Sequence, residues 1–130
     1  MAKLTFDLPN NAVRIELEGR LTMQEIHELN ELTLAFARRW GAANGILDLS
    51  RVESIGLDRE TIVALAREPP IMRGMRSAYI APTEPTFAAS RLLAEHRQLR
   101  YGGGPAVVRR LDDACRVLGF SKPNFQKVSL

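Results

Sequence analysis

The sequence predicts an α/β protein with a mixed, mostly parallel sheet of about five strands and with about four helices. Two observations carry this prediction. Apolar and polar residues alternate at the start of the chain, and the later segments show helical periodicity between short apolar runs. The resulting order is β-β-α-β-α-β-α-β-α. Its alternating part implies parallel pairing with right-handed crossovers, and the opening hairpin contributes the antiparallel part.

Length and composition are those of one soluble globular domain. The chain has 130 residues, of which 45% are hydrophobic and 25% charged. We expect a single domain over residues 1–120 and a tail over residues 121–130. No apolar run approaches the roughly 18 residues of a membrane span, and the start of the chain does not resemble a signal peptide. The single cysteine, Cys115, allows no internal disulfide, which favours a cytoplasmic location.

The first two strands are predicted as a hairpin with one apolar and one polar face. Their apolar residues recur at every second position, and turn-forming residues occupy positions 9–11 between them. Asp7 falls on the polar face in this pattern. The residues predicted to face inward are Leu4, Phe6 and Leu8 in the first strand and Val13, Ile15 and Leu17 in the second.

A long amphipathic helix follows the hairpin. Thr22 and Glu25 have the spacing of a capping box, in which each side chain binds a free backbone N–H group of the first turn. Gly41 is a suitable stop. The apolar face is predicted to contain Ile26, Leu29, Thr33, Phe36 and Trp40.

The segment from Gly45 to Arg67 is predicted to be a buried strand, a turn over residues 51–57 and a helix capped by Asp58. The apolar run of this strand is interrupted by Asp48. Because an unpaired buried carboxylate is costly, we expect Asp48 to bind a turn amide or an arginine such as Arg51.

The second half of the chain continues the alternation. A strand over residues 77–81 precedes a helix capped by Thr83. A glycine-rich connector over residues 100–104 leads to the last strand, residues 106–108, and to a closing helix with Cys115 inward. The positions expected to be buried in the longer helix are Phe87, Ala88, Ala89, Leu92, Leu93 and Leu99.

The chain resembles a STAS-type domain, the fold of bacterial anti-sigma-factor antagonists and of the cytoplasmic tails of sulfate transporters. The resemblance spans about residues 12–120. It rests on Val13–Arg20 with Leu21-Thr22, on Ile46–Ser50, on Ile55-Gly56-Leu57 and on Val107–Leu118. The segment 76–96 is similar to a less characterised branch of this superfamily, which shares its fold with lipid-transfer domains.

The resemblance implies a regulatory, protein-interaction role, but without the family's phosphorylated serine. Aligning the Gly-Leu pair places that position at Ile55, whereas counting from the strand places it at Asp58. Neither residue carries a hydroxyl group, and Ser54 lies one position early in the first alignment. Asp58 would then hold a fixed negative charge where the family gates a doubly negative one.

Two functions remain open from the sequence. The first is a non-catalytic STAS-type interaction module, with an unknown protein partner. The second is a carrier or sensor of a small apolar or lipid-like ligand, held between the sheet and the helices at residues 22–40 and 85–99. The partner-binding residues expected for the first are Ser54, Ile55, Gly56, Leu57, Asp58, Met72 and Met75.

Other classes of function find little support. His27 and Glu31 share a helix face, but two ligands do not make a metal site, and no nucleophile–base spacing indicates an enzyme or a cofactor. Residues 69–130 carry 10 basic and 4 acidic side chains, yet these are scattered and lack stacking aromatics, which argues against nucleic acid. The apolar hairpin edge and tail are compatible with a homodimer.

Overall fold

The computed structural model describes residues 2–130 and has the predicted order of elements. It confirms the α/β class, with five strands and four helices. The strands are β1 (Ala2–Asp7), β2 (Ala12–Leu21), β3 (Asn44–Ile55), β4 (Ser77–Ile80) and β5 (Ala106–Val108). The helices are α1 (Met23–Trp40), α2 (Arg59–Arg67), α3 (Glu84–Tyr101) and α4 (Leu111–Val117).

The sheet follows the chain, in the order β1-β2-β3-β4-β5. The first pair is antiparallel and the other three are parallel, as predicted. Leu49 joins the core beneath α1, whereas Ile46 packs with Cys115 of α4 on the opposite face. The central strand is therefore covered on both faces, as its apolar run indicates.

The end of β1 departs from the predicted alternation. Asp7 is fully buried, whereas Leu8 is 64% exposed. The carboxylate of Asp7 accepts hydrogen bonds from the Asn10 side chain at 2.9 Å and from the Asn124 backbone N–H at 2.8 Å. These bonds supply the partners that a buried carboxylate needs. Leu8 lies exposed in the turn that follows.

The tail is attached to the domain along β1. The backbone groups of Phe6 and Gln126 exchange two hydrogen bonds, of 2.8 and 3.0 Å. Phe125 and Val128 pack against the two sides of the core. The tail therefore covers part of the hairpin edge, and the homodimer stays a prediction.

Strand β3 is longer than predicted and extends through residues 51–55, which were expected to form a turn. Pairing with β2 continues to Leu21 and Ile55, so the backbone groups of this segment are satisfied in the sheet. The remaining turn before α2 contains only residues 56–58.

Asp48 lies at the middle of β3 and is 3% exposed. One carboxylate oxygen accepts the Ser50 backbone N–H at 2.9 Å, and the other accepts Arg14 Nη2 at 2.5 Å. The cation is thus Arg14 of the neighbouring strand and not Arg51. Burial acts to raise the pKa of Asp48, but the hydrogen bonds from Ser50 and Arg14 outweigh it and hold the pKa below its ordinary value.

The predicted helix caps are confirmed. The Thr22 backbone N–H donates to the Glu25 carboxylate at 2.9 Å, which is one half of the capping box. Asp58 accepts the Thr61 backbone N–H at 2.8 Å. Within residues 2–130, no helix combines the length and the apolar character that crossing a membrane requires.

Replacing Asp48 tests the central ion pair. Asp48→Asn leaves Arg14 without its buried carboxylate, although Glu16 still contacts Arg14 at 3.0 Å. We expect the free energy of unfolding at neutral pH to fall by about 2–3 kcal/mol, measured by urea denaturation. Glu53→Gln, on the exposed side of the same strand, should change it by less than about 0.5 kcal/mol.

The same pair should give stability a defined dependence on pH. Because the folded-state pKa of Asp48 is lowered, the unfolded chain takes up the proton first as the pH falls. The contribution is present above the ordinary value of 3.8 and is lost as the pH falls through the lowered value. The difference between wild type and Asp48→Asn should therefore shrink in acid, and a constant difference would contradict the assignment.

Candidate functional site

A cavity of about 270 Å³ lies between the sheet and helices α1, α2 and α3. Its walls are mainly apolar. The sheet contributes Val13, Ile15, Leu47 and Leu49, and the helices contribute Ile26, Leu29, Ile62, Leu65 and Leu93. A concave apolar space with a few polar groups is the usual form of a small-molecule site.

Helix α1 is buried most deeply near its end. Phe36 is the helix's buried residue, and its ring meets Phe6 edge-on at a centroid distance of 4.8 Å. Thr33 and Leu29, one and two turns earlier, are only half-buried and line the cavity. The first half of α1 therefore forms a wall of the cavity and does not fill it.

Small residues keep the floor of the cavity open. Gly45 of β3 lines the cavity, and a Cβ atom added there would have no neighbour within 4 Å. Ala43 precedes it, and Ala89 lies on the facing side of α3. Larger side chains at these positions would occupy space that the sheet and helices leave empty.

The loop between α2 and β4, residues 68–76, forms one side of the cavity. Met72 packs against the core, and its Sδ atom accepts the Ala43 backbone N–H at 3.4 Å. The end of the loop is held by the Arg76 backbone N–H, which donates to Asn44 Oδ1 at 2.9 Å. The loop is thus joined to the strand that carries the cavity floor.

Helix α3 presents a polar stripe to the inside, contrary to the sequence prediction. Thr86 and Ser90 are its buried residues, and Ser90, Leu93 and Arg97 line the cavity. Leu99, which was expected to be buried, is 82% exposed. The inner face therefore mixes polar Ser90 and Arg97 with apolar Ala89 and Leu93, and apolar periodicity alone does not mark it.

Arg97 has a buried hydrogen-bond donor without an acceptor. Its Nε atom is buried and has no hydrogen-bond partner, and the guanidinium forms no ion pair within residues 2–130. The Tyr79 side chain also lines the cavity without a hydrogen-bond partner in the described chain. Burial raises the pKa of the Tyr79 hydroxyl, and the positive charge of Arg97 opposes this rise only in part.

The predicted site residues divide into two groups. Leu57, Met72 and Met75 line the cavity. Ser54 and Ile55 lie in β3 and not in a turn, and Ser54 Oγ accepts a hydrogen bond from Arg20 at 3.3 Å. The expected interaction surface and the cavity therefore share the turn at Leu57 and the loop with the two methionines.

Gly56 allows the end of β3 to lie very close to Leu21, because glycine has no side chain. Its backbone N–H donates to the Leu21 carbonyl at 2.7 Å, so β3 leaves the sheet directly against the start of α1. A Cβ atom at this position would lie 2.9 Å from Arg20 Nε and 3.1 Å from the Leu21 carbonyl oxygen. Only glycine fits this approach without a shift of its neighbours.

Asp58 is occupied as a cap. Hydrogen bonds from Thr61 lower the pKa of its exposed carboxyl group, so the charge is fixed at neutral pH.

Cys115 is buried, and burial raises the pKa of its thiol. Within residues 2–130, no three His, Cys, Asp or Glu side chains lie close enough to hold a metal ion.

The glycine-rich connector supports the helix that carries Arg97. Gly104 packs so closely on α3 that a Cβ atom would lie 2.8 Å from the Ala94 carbonyl oxygen and 3.3 Å from Arg97 Cβ. Gly103, next to it, has nothing within 4 Å of such an atom. The connector is therefore packed at its end and open before it.

Two alanine substitutions test the difference in packing between Gly103 and Gly104. Gly104→Ala must displace backbone, and we expect it to lower the free energy of unfolding by about 1–3 kcal/mol. Gly103→Ala is the matched control and should be neutral or stabilising by up to about 1 kcal/mol. Chemical denaturation of both variants measures the contrast, and equal effects would show that the close approach at Gly104 is absent.

Comparison with known proteins adds no family assignment. No protein-family model matches the chain, and no curated protein is significantly similar to it.

Proposed function

We propose that this protein binds a small, largely apolar molecule in the cavity beneath α1 and α3, as a carrier or sensor. The observation that carries the proposal is the cavity itself. It is lined by apolar side chains from the sheet and from three helices. This lining faces an open-sided space of about 270 Å³ and not other side chains, so it gains packing contacts when an apolar molecule fills that space.

The volume limits the size of the ligand. An engineered apolar cavity of about 150 Å³ holds benzene, which corresponds to about 25 Å³ for each non-hydrogen atom. On that scale, a cavity of about 270 Å³ holds on the order of ten non-hydrogen atoms. A short alkyl chain or a two-ring aromatic compound has this size, whereas an intact two-chain phospholipid does not.

Naphthalene, a neutral compound of suitable size, tests the proposal on purified protein. Methyl NMR spectra should show shifts of the leucine and isoleucine signals at the cavity as naphthalene is added. Leu29→Trp should abolish these shifts by filling the cavity from α1. Leu34→Trp makes the same change at an exposed position of the same helix and should leave them intact.

The outcomes separate clearly. Saturable shifts that are lost only in Leu29→Trp support the proposal, provided that both variants unfold cooperatively in urea. Absence of saturable shifts in the wild-type protein would overturn it. Equal shifts in the wild-type and Leu29→Trp proteins would also overturn it, because binding would then lie elsewhere.

A STAS-type interaction role is the second proposal, and the rigid turn at residues 56–58 favours it. Gly56 is bonded to Leu21, and Asp58 caps α2, so the turn is a preformed surface beside the start of α1. A preformed surface avoids the ordering cost of binding. On this proposal, Asp58 offers its fixed charge to a protein partner.

Two substitutions of Asp58 separate its charge from its capping role. Asp58→Asn keeps a good cap and removes the charge, whereas Asp58→Arg removes the cap and reverses the charge. Quantitative cross-linking in the source cells should give a partner that is lost in both variants. Partners retained by both would contradict this surface, and loss only in Asp58→Arg would indicate the helix start and not the charge.

A further inference from the structure

We propose that the ligand of the cavity is a small amphiphile with a single anionic head group, which binds Arg97 while its apolar chain fills the cavity. This inference rests on the proposed function and names the chemical class of the ligand. Carboxylate and phosphate monoester heads share this chemistry, and the experiment below distinguishes them.

The Arg97 side chain has a buried donor that lacks an acceptor. Its Nε donor is buried without a partner, and the described chain provides no carboxylate within ion-pair distance of the guanidinium. Leaving a buried donor of a charged group unpaired is costly, whereas a carboxylate or phosphate can accept two parallel hydrogen bonds from guanidinium. An anionic head group in the cavity would pair the charge of the guanidinium, and it would reach Nε once the Arg97 side chain turns towards the cavity.

Two hydroxyl groups, which are neutral hydrogen-bond donors, line the same cavity. Tyr79 enters from β4, and Ser90 lies on α3 two turns before Arg97. Neither hydroxyl group has a hydrogen-bond partner in residues 2–130, although Ser90 is only 3% exposed. The charge of Arg97 acts on the Tyr79 hydroxyl, and Ser90 adds a second free donor further along the same lining, so the cavity offers neutral donors as well as a cation to an anionic ligand.

The charged residues that line the cavity have a net positive charge. Its charged lining residues are Glu68, Arg76 and Arg97, which gives a net charge of +1 from the arithmetic 2 − 1. Glu68 and Arg76 are exposed and belong to the loop, whereas Arg97 is half-buried on α3. The least exposed charged group of the lining is therefore a cation, and an anion is favoured over a cation or an uncharged head.

Octanoate has about ten non-hydrogen atoms and matches the volume of the cavity. Calorimetric titrations should compare octanoate, octyl phosphate, octanol and octyltrimethylammonium on the wild-type protein. We expect at least one of the two anions to bind about tenfold or more tightly than octanol, the difference that charge-assisted hydrogen bonds provide. The tighter anion identifies the head group.

Arginine variants on the same helix locate the effect. Arg97→Met should remove the preference for the anion over octanol and leave octanol binding within about twofold, because the apolar walls are unchanged. Arg97→Lys should restore part of the preference through its charge. Arg100→Met removes an exposed arginine one turn later and should behave as wild type.

Each outcome has one meaning. Equal binding of octanol and both anions, tighter binding of the cation, or an anion preference that persists in Arg97→Met would overturn the anionic-head proposal and leave the cavity proposal intact. Failure of all four compounds and of naphthalene would overturn both proposals. Urea denaturation of Arg97→Met checks its fold, and if it fails to fold, the comparison is made with Arg97→Lys and Tyr79→Phe.

Discussion

The ion pair between Asp48 and Arg14 is the constraint around which the centre of the sheet is arranged. It joins β2 to β3 on the face that packs against α4, and Ser50 completes the bonding of the carboxylate. The ring of Phe125 lies 5.8 Å from the Arg14 guanidinium, so the tail covers the same pair. Because side chains alternate along a strand, placing Asp48 on this face directs Leu47 and Leu49 to the other.

The two faces of the sheet are therefore packed differently. One face is closed by a polar pair, a short helix and the tail, and the carboxylate of Asp7 attaches that tail through Asn124. The other face receives three helices and has its own core around Phe36, but it also contains the cavity. Rigidity on the first face allows the second to keep an open space, since the sheet does not depend on the cavity side alone for its order.

Local sequence signals predicted much of the fold. The capping box at Thr22, the Asp58 cap and the alternation of β2 depend on neighbouring residues and were correct. The burial of Asp7 was not predicted, because one partner of its carboxylate lies 117 positions away. The inner face of α3 was missed for another reason. Apolar residues such as Leu99 mark its outside, and the polar stripe that ends at Arg97 faces inward.

The cavity itself has no sequence signature, because it is defined by the space that Leu29, Gly45 and their neighbours leave between them. The sequence did identify its border. Leu57 follows Gly56 in the rigid turn and also lines the cavity, and Met72 connects the loop to the strand below. The proposed interaction surface and the proposed ligand cavity thus share Leu57 and Met72. Since the backbone at Gly56 packs closely on Arg20, the Leu21 carbonyl and Thr22, a larger side chain there would shift the turn, and through Leu57 it would also alter the wall of the cavity.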